Sequence, residues 1–369
     1  MTLYEELTDG LGRPLRVAEL VYAAAERDPA LPSRAEIDEE RTHLQKDKVG
    51  LEIAQGDFVS GVLAERAAGE HLMRSMREPR TEAVAALDAF RRDDAIDLGP
   101  MRLDRRGRVG EVTIQNHASL NAEDDDSTRA LEIAVDLALL DERIEVGVLR
   151  GGPATHPRHA GRRIFGAGIN LTQLYEGRIS LVEFMLEREL GVVSKLYRGH
   201  VDGREKPWIA AVERFAIGGA CQWLLVMDRV IAENGSYFNL PARKEGIIPG
   251  CANLRLPRFV GERMARQAIF FGRTFPADTP EGLLLADEVV APEEMDDAID
   301  RAAAELRDAG PESLVSNRRA LREAQEPLDA FRRYMSGYAR DQARCLYSPA
   351  LIDNLERNWE AKRRVRIAE

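Results

Sequence analysis

Two short turns rich in small residues constrain the fold of this chain more than any other feature of its sequence. The first reads Ile164-Phe165-Gly166-Ala167-Gly168-Ile169-Asn170, and the second reads Ile217-Gly218-Gly219-Ala220-Cys221-Gln222. At each turn a strand pattern gives way to a helix pattern, which leaves backbone N–H groups unpaired and pointing outward. Two such turns that converge on one point would form an oxyanion hole, a pair of donors for a carbonyl oxygen that gains negative charge.

From Met101 onward the sequence around these turns alternates between strand and helix patterns. Short apolar runs end in glycine or follow proline, and longer runs show helical spacing of their apolar residues. This alternation predicts an α/β fold in which helices cover a sheet. The predicted strands cover residues 108–115, 146–152, 208–212 and 230–232, and the predicted helices cover residues 130–140, 181–197, 219–227, 262–271, 280–285, 292–308 and 312–324, with a helical tail from Leu328.

Residues 1–98 are charged and helical in pattern, and they carry no catalytic motif. Ser33 and Glu36 together form a capping box, which predicts the start of a helix that continues past Ile53. Pro79 predicts a break or kink, because a proline disfavours helix in the residue before it. We expect a helical appendage that packs on the main body or on a neighbouring subunit, with helices around residues 20–25, from Ser33 past Ile53 and over 69–92.

The composition argues against several classes of protein. The formal net charge of −11 argues against a nucleic-acid-binding surface, because phosphate contacts need a basic footprint. The N-terminus has no basic-then-apolar signal, and no apolar run approaches the roughly 20 residues of a membrane span, so we expect a cytoplasmic protein without a membrane partner. Cys221, Cys251 and Cys345 are odd in number and widely spaced, which suggests neither a disulfide framework nor a zinc site.

Several separate segments resemble the crotonase (enoyl-CoA hydratase/isomerase) superfamily. In chain order they are Ser119-Leu120-Asn121-Ala122, Phe165 to Leu171, Lys206 to Val212 with Ile217 to Cys221, Phe238-x-x-Pro241, Gly246-Ile247-Ile248-Pro249-Gly250 and Arg255-Leu256-Pro257. A single turn of this kind is common, but this order and spacing are specific. The resemblance covers residues 101–309 and implies a crotonase-type α/β core of twisted sheets surrounded by helices, with an N-terminal helical appendage and a C-terminal helical tail.

The same resemblance implies a division of the chain and an assembly. We expect a helical N-terminal segment over residues 1–98, the crotonase-type core over 99–309, and a C-terminal helical region over 310–369 that serves oligomerisation and the CoA site. The resemblance implies a homotrimer or hexamer. The tail carries Trp359, Lys362, Arg363 and Arg364, a basic–aromatic group that is expected to complete a neighbour's CoA site or to be an exposed helix end.

The resemblance also assigns roles to the residues of the two turns. The oxyanion donors are expected to be the backbone N–H groups of Ile169 and Gly219, and Gly218 lets the backbone approach the ligand closely. The residues expected to line the acyl-CoA site beside them are Asn121, Ala167, Gly168 and Asn170.

Two departures from the family pattern alter the expected chemistry. In the hydratases of the family, two glutamates do the acid–base work, and Gln222 and Ala242 stand at their positions here. An amide cannot shuttle a proton and alanine has no functional group, whereas hydration needs both groups to activate water and deliver a proton. Ordinary enoyl-CoA hydration is therefore excluded, while the cradle for an enolate is kept.

Together with these departures, the long N-terminal segment and the lead-in over residues 156–163 resemble one branch of the superfamily, the cofactor-independent dioxygenases of aryl-acetyl-CoA thioesters. The resemblance implies that the chain converts 3,5-dihydroxyphenylacetyl-CoA and O₂ into 3,5-dihydroxyphenylglyoxylate and CoA. An enolate or carbanion held by the oxyanion hole would pass one electron to O₂ directly, so neither a metal nor another cofactor is expected. O₂ is a co-substrate, and CoA is part of the substrate.

Few polar residues are left to orient the substrate ring or the peroxide. Gln222 should project toward the acyl group. Glu123 is expected to accept a hydrogen bond from a ring hydroxyl, or else to be a carboxylate that the helix dipole favours at a helix N-terminus. Arg188 is expected to donate to a hydroxyl or an oxyanion, or else to lie on a solvated helix face. His156 is expected to contact the substrate or to transfer a proton, with an exposed loop residue as the alternative. Arg158, Arg162 and Arg163 are expected to contact the CoA phosphates. The general base is not identified by the sequence.

Three other interpretations stay open at this level. His200-Val201-Asp202 has the spacing of part of an iron site, but it needs a distal histidine, and His156-x-x-His159 is no more convincing. Another crotonase-type activity, such as an acyl-CoA isomerase, decarboxylase or thioesterase, would use the same enolate cradle. A non-catalytic CoA-binding protein would bind thioesters without turnover.

Overall fold

A seven-stranded sheet and a smaller three-stranded sheet organise the computed structural model, which describes residues 1–359. The strands are β1 (Ala95–Asp97), β2 (Met101–Arg106), β3 (Val109–Ile114), β4 (Val146–Gly151), β5 (Trp208–Val212), β6 (Phe215–Ile217), β7 (Arg229–Glu233), β8 (Tyr237–Asn239), β9 (Thr274–Pro276) and β10 (Glu288–Val290). The large sheet has the order β1-β2-β3-β4-β5-β7-β10, and the small sheet has the order β6-β8-β9. Strands β3, β4, β5, β7 and β10 run parallel, whereas β1, β2 and β3 are antiparallel neighbours.

Helices surround the sheets in the described part of the chain. They are α1 (Leu3–Leu7), α2 (Val17–Ala25), α3 (Arg34–Glu40), α4 (Glu52–Ala64), α5 (Arg66–Ser75), α6 (Thr81–Asp93), α7 (Asp125–Leu140), α8 (Leu171–Tyr175), α9 (Ser194–Arg198), α10 (Gly219–Leu224), α11 (Ala242–Glu245), α12 (Ala252–Phe271), α13 (Met295–Asp308), α14 (Pro311–Gln325), α15 (Leu328–Leu346) and α16 (Pro349–Trp359). None of these described helices has the length and apolar character needed to cross a membrane.

Strand β5 shows how the central sheet is buried. Its residues alternate between two hydrophobic clusters: Trp208 and Ala210 face the cluster that includes α7, while Ile209 and Ala211 face the cluster that includes α13. Because side chains alternate across a strand, a strand covered by helices on both faces must be apolar throughout. This explains why the sequence over 208–212 is a continuous apolar run.

Most of the predicted elements of the core are confirmed. The predicted strands correspond to β3, β4, β5 and β7, and the predicted helices to α7, α10, the second half of α12, α13 and α14. The predicted helix over 280–285 is wrong, since only a 3₁₀ turn forms at Gly282–Leu284. Strands β1, β6, β8, β9 and β10 have three residues each, too few to show a period of two, and the sequence did not predict them.

The N-terminal segment is helical, but two of its predicted helices are interrupted. The helix predicted over 69–92 is divided into α5 and α6, and Pro79 lies in the gap between them, as predicted. Ser33 caps α3 with Glu36 in a capping box, as predicted. The helix does not continue past Ile53: it ends at Glu40 and the next begins at Glu52. The interruption is stabilised by Glu40 Oε1, which accepts hydrogen bonds from the N–H groups of residues 49, 50 and 51 over 2.9, 2.8 and 3.2 Å.

The helical segment packs on the main body and on the C-terminal helices. One hydrophobic cluster joins Val59 and Leu72 of the N-terminal helices to Phe331 and Met335 of α15, and it includes Leu190 of the core. Strand β1, at the end of residues 1–98, pairs with β2 and so extends the large sheet. The boundaries at 98/99 and 309/310 stay predictions.

A helix of unusual geometry crosses the centre of the protein. It runs through two π-helical stretches, Leu181–Leu186 and Arg188–Val193, and continues into α9. π-helical turns are rare in proteins, and those that form are frequently found at functional sites. Here three consecutive charged residues, Glu187, Arg188 and Glu189, are all buried. Glu187 pairs with Arg80, whereas Arg188 pairs with both Glu123 and Glu189. We call the segment over 181–198 the central helix.

Candidate active site

The first glycine turn is held by a short backbone ladder that orients one N–H group. Glu123 N–H donates to Gly168 O over 2.7 Å, and Asn170 N–H donates to Glu123 O over 2.7 Å. These two bonds flank Ile169, whose own N–H therefore points to the opposite side. Across residues 1–359, the Ile169 N–H donates no hydrogen bond.

The second turn presents a matching N–H group at the start of α10. Gly218 has φ 56° and ψ −120°, a conformation that glycine adopts readily and other residues rarely do. Its N–H donates to Asn239 O over 2.8 Å, whereas the N–H of Gly219 has no acceptor within the described chain. A helix N-terminus of this kind stabilises negative charge.

The two turns are in contact. Gly168 has φ +76°, and a Cβ atom placed on it would lie 2.9 Å from Gly219 N and 2.6 Å from Ile217 O. A side chain at this position would therefore crowd the second donor, so Gly168 keeps the space between the turns open. Ile169, Gly218 and Gly219 all line the same small cavity.

Arg188 of the central helix links both turns to one another. Its Nε donates to Glu123 Oε2 over 2.6 Å, and its Nη2 donates to Gly219 O over 2.8 Å. Its Nη1 donates to Glu189 Oε1 over 2.6 Å and to Gln222 Oε1 over 3.2 Å. The guanidinium is 4.0 Å from the Trp223 ring centroid, a cation–π contact.

The charge on Arg188 is balanced by two carboxylates. Burial alone would lower the pKa of Arg188, but the negative charges of Glu123 and Glu189 outweigh that effect and raise it above its ordinary value. Arg188 is only 3% exposed, so the guanidinium and its partners form a buried unit. One polar atom of this unit is left over: Glu123 Oε1 is buried and accepts no hydrogen bond from the described residues.

Gly250 makes room for the polar side chains opposite the turns. It has φ +45°, and a Cβ atom there would collide with both Gln222 Oε1 and Glu189 Oε1. The two side-chain oxygens therefore approach the same point in space. Gln222 is 9% exposed and lies one turn into α10, where its amide faces the cavity beside Gly219.

The inner cavity between these groups has a volume of about 30 Å³, enough for one small molecule. Its walls combine the polar groups above with the apolar side chains of Phe184, Met185, Ile247 and Ile248. An outer cleft of about 850 Å³ adjoins it, since Ile169 and Glu245 line both. A cleft of that size accommodates a large ligand.

The outer cleft brings together some of the residues expected to bind CoA. His156, Arg158, Ala167 and Asn170 line it, and so does Trp359. Asn170 also caps α8 by accepting from Gln173 N–H over 3.2 Å. Lys362, Arg363 and Arg364 lie outside the described residues.

Three further predicted site residues lie elsewhere. Asn121 is 1% exposed and donates to Ile164 O over 2.6 Å, so it fixes the loop behind the first turn. Arg162 is exposed, and Arg163 donates to Gly151 O over 3.1 Å. These three residues lie beside the site and do not line the outer cleft.

Four charged residues at the site were not singled out from the sequence. Glu189 and Glu245 line the inner cavity, and Arg178 and Lys244 line the outer cleft. The position of Lys244 and Glu245, directly before the Gly246–Gly250 motif, was a signal that could have found them. No sequence signal reports the π-helical turns that bury Glu189.

The histidine motif considered for iron is used otherwise. His200 Nε2 lies 2.8 Å from Asp136 Oδ1 in a buried pair, while Asp202 is half-exposed and bridges to Arg204 over 3.0 Å. Within residues 1–359, no group of three or more His, Cys, Asp or Glu side chains is arranged to hold a metal ion.

The chain belongs to the enoyl-CoA hydratase/isomerase family, whose model matches residues 104–337. It is 48% identical, over 95% of its length and 82% of the relative's, to the (3,5-dihydroxyphenyl)acetyl-CoA 1,2-dioxygenase of Amycolatopsis orientalis. To the short-chain-enoyl-CoA hydratase of Clostridium acetobutylicum it is 28% identical, over 61% of this chain and 82% of the relative.

Solved structures share the fold. An enoyl-CoA hydratase/isomerase from Xanthobacter autotrophicus superimposes with a TM-score of 0.60 at 21% identity, over 73% of this chain and 97% of that one. An enoyl-CoA hydratase from Bacillus halodurans superimposes with a TM-score of 0.58 at 18% identity, over 70% and 99% of the two chains. The crotonase-type fold predicted from the sequence is confirmed.

Proposed function

We propose that this chain is a dioxygenase that converts 3,5-dihydroxyphenylacetyl-CoA and O₂ into 3,5-dihydroxyphenylglyoxylate and CoA, without a metal or an organic cofactor. One observation carries the proposal: 48% identity over 95% of the chain to an enzyme named for this substrate and reaction. The site agrees with this reaction, because Gln222 and Ala242 stand at the positions of the two glutamates that the hydratases of the family use for acid–base work.

The reaction begins with loss of a proton from the benzylic carbon next to the thioester. The negative charge that develops on the thioester oxygen is stabilised by the N–H groups of Ile169 and Gly219, which have no other acceptor within the described chain. One donor of this kind is typically worth about 3–4 kcal/mol of transition-state stabilisation. The charge also spreads over the aromatic ring, which makes the carbanion electron-rich.

Oxygen then reacts with this carbanion. Transfer of one electron to triplet O₂ and recombination of the two radicals form a peroxide at the α-carbon. The peroxide oxygen attacks the thioester carbonyl and CoA leaves as the thiolate, after which loss of the second benzylic proton with cleavage of the O–O bond gives the α-keto acid. The apolar walls of the inner cavity, Phe184, Met185, Ile247 and Ile248, exclude water that would reprotonate the carbanion.

The Arg188–Glu123 pair is suited to bind a ring hydroxyl of the substrate. Glu123 Oε1 is a buried acceptor without a partner in residues 1–359, and it lies beside the Arg188 guanidinium. A hydroxyl that donates to Glu123 and accepts from Arg188 would satisfy this atom. An unsatisfied buried acceptor costs roughly 1–3 kcal/mol, so such a site prefers a substrate that carries the hydroxyl.

The outer cleft is assigned to the CoA portion. Arg158, Arg178 and Lys244 line it and provide cations for the phosphates, while Trp359 provides an aromatic surface for the adenine. A trimeric or hexameric assembly and a cytoplasmic location stay predictions.

The test is simultaneous measurement of O₂ consumption and thiol release by chelator-treated, full-length protein supplied with 3,5-dihydroxyphenylacetyl-CoA. Matched O₂ loss and CoA release support the proposal. CoA release without O₂ loss indicates a thioesterase, and activity that returns only after iron is added contradicts a metal-independent reaction.

A further inference from the structure

Glu245 is a buried carboxylate that none of the contacts described above uses. It ends the short helix α11 and is 6% exposed. Within the described chain its side chain makes no hydrogen bond and no ion pair. Burying a carboxylate without a partner is costly, so a group kept in this state is expected to serve the site rather than the fold.

Its position is beside the oxyanion turns. Glu245 lines both the inner cavity and the outer cleft, and in the described part of the chain only Ile169 does the same. A Cβ atom placed on Gly218 would lie 3.7 Å from Glu245 Oε1. The carboxylate therefore stands at the junction where a thioester that enters through the outer cleft meets the two N–H donors.

The other carboxylates of the site are already engaged. Glu123 and Glu189 are each ion-paired with Arg188 at 2.6 Å, and Glu189 also accepts from Cys251 N–H over 3.3 Å. A proton taken up by either would weaken a buried ion pair, which is strongly destabilising. Glu245 can gain or lose a proton without breaking any such pair.

The electrostatic environment of Glu245 agrees with proton transfer. Burial raises the pKa of Glu245 to about 7, with no opposing contribution from a neighbouring cation. A general base is most effective when its pKa lies near the working pH, since it is then both available and strong enough to take the proton. Ala242, at the start of the same helix, stands at the position of one of the two hydratase glutamates. That carboxylate is therefore missing in this chain.

We propose that Glu245 is the general base that removes the benzylic proton of the acyl-CoA substrate. The C–H bond breaks, the proton goes to a carboxylate oxygen of Glu245, and the electron pair forms the enolate whose oxygen is held by Ile169 and Gly219. The protonated carboxyl group later returns this proton to the departing CoA thiolate. This inference rests on the function proposed above and assigns the residue that starts its reaction.

Hydrogen exchange without O₂ tests the base separately from the oxygenation. Full-length protein is incubated with 3,5-dihydroxyphenylacetyl-CoA in D₂O under nitrogen, and deuterium at the benzylic carbon is followed by mass spectrometry. We expect the wild type to exchange, and Glu245→Gln to exchange at least about 100-fold more slowly, the usual lower limit for the contribution of a general base. Glu245→Asp keeps a carboxylate and should exchange at an intermediate rate.

The control is Glu262→Gln, an exposed carboxylate on α12 whose side chain is 80% exposed, which should exchange like the wild type. Thermal melting and binding of free CoA verify that each variant is folded and has an intact outer cleft.

Two results separate the base from the function. If the wild type consumes O₂ and Glu245→Gln exchanges its benzylic hydrogen as fast as the wild type, the role of Glu245 is overturned and the dioxygenase stays in place. Exchange that depends on Glu245, in a wild type that consumes no O₂, would support the base and overturn the dioxygenase.

Discussion

Arg188 Nε donates to Glu123 Oε2 over 2.6 Å, and this ion pair joins the two turns that carry the oxyanion donors. Glu123 is tied by its backbone to both sides of Ile169, while Arg188 Nη2 holds the carbonyl of Gly219. The pair that we assign to a ring hydroxyl is thus also the link that fixes the spacing of the donors. Recognition of the ring and stabilisation of the enolate depend on the same guanidinium.

Arg188→Lys should therefore lower kcat/KM for 3,5-dihydroxyphenylacetyl-CoA by roughly 10²- to 10³-fold. Lysine keeps the charge, but its ammonium group cannot reproduce the planar set of bonds to Glu123, Glu189 and Gly219. Steady-state O₂ uptake measures the effect. Arg301→Lys, on the exposed surface of α13 and bonded to Glu288, serves as the control and should behave like the wild type. An Arg188→Lys enzyme of normal kcat/KM would contradict the assignment.

Gly219→Pro removes one of the two oxyanion donors, because proline has no N–H group. Turnover should be abolished, measured as O₂ uptake and CoA release together. Near-normal activity would refute the oxyanion site.

A matched pair of glycines tests the same site in another way, by crowding the Gly219 N–H donor instead of removing it. Gly168→Ala should lower turnover at least about tenfold, since its Cβ would lie 2.9 Å from Gly219 N. Gly161→Ala is the matched control: Gly161 has φ +74°, close to the +76° of Gly168, but a Cβ there meets no atom within 4 Å. Backbone strain is similar in the two variants, so equal losses of activity would mean that strain, not crowding of the donor, is responsible.

Gln222→Glu should change the fate of the enolate. The new carboxylate would lie close to Glu189, because oxygens of both side chains approach the same point next to Gly250. Two close carboxylates cannot both ionise easily, so one would hold a proton that can be returned to the carbanion. We expect O₂ uptake to fall relative to benzylic hydrogen exchange in D₂O. An unchanged rate and product ratio would show that Gln222 is a bystander.

Parts of this site could be predicted from the sequence because they depend on local backbone geometry. The turns at Gly168 and Gly218 need conformations that glycine favours, and the chain shows this directly. The burial of Glu189 could not be predicted, since it depends on the π-helical geometry of the central helix. The sequence around Arg188 is equally compatible with a solvated α-helix, and only packing against Glu123 and Trp223 decides between them.

The pH dependence of the reaction should follow Glu245. Burial raises its pKa to about 7, so below that pH the group is protonated and cannot act as a base. We expect kcat/KM to rise with pH through about 7 and then to level off, and Glu245→Gln to lack this rise. The titratable and charged groups that share its two cavities are Arg188, Glu189, Tyr338, Lys244, Arg158, Arg178, His156, His159 and Tyr237.

His156→Gln is the control for that profile. His156 lines the outer cleft, and histidine is the side-chain type that most often serves as a proton donor or acceptor in enzymes. If the rise of kcat/KM disappears in His156→Gln and persists in Glu245→Gln, the histidine and not the glutamate controls it. Tyr338 is excluded as the source, because burial raises its pKa well above the ordinary value for tyrosine.

The contact between α4 and α15 connects the N-terminal segment to the active site, and two glycines of α4 test it. A Cβ on Gly56 would lie 2.6 Å from Ala343 Cβ, whereas one on Gly61 meets nothing within 4 Å. Gly61→Ala should therefore stabilise the protein by about 0.5–1 kcal/mol, because alanine is the better helix former. Gly56→Ala should instead lower the free energy of unfolding by roughly 1–3 kcal/mol through overpacking, as measured by urea denaturation.

Because α15 also carries Tyr338 and Gln342 in the wall of the inner cavity, displacement of this helix should lower kcat in Gly56→Ala and leave it unchanged in Gly61→Ala. Loss of stability with a normal kcat would mean that the N-terminal segment supports the fold without positioning the cavity.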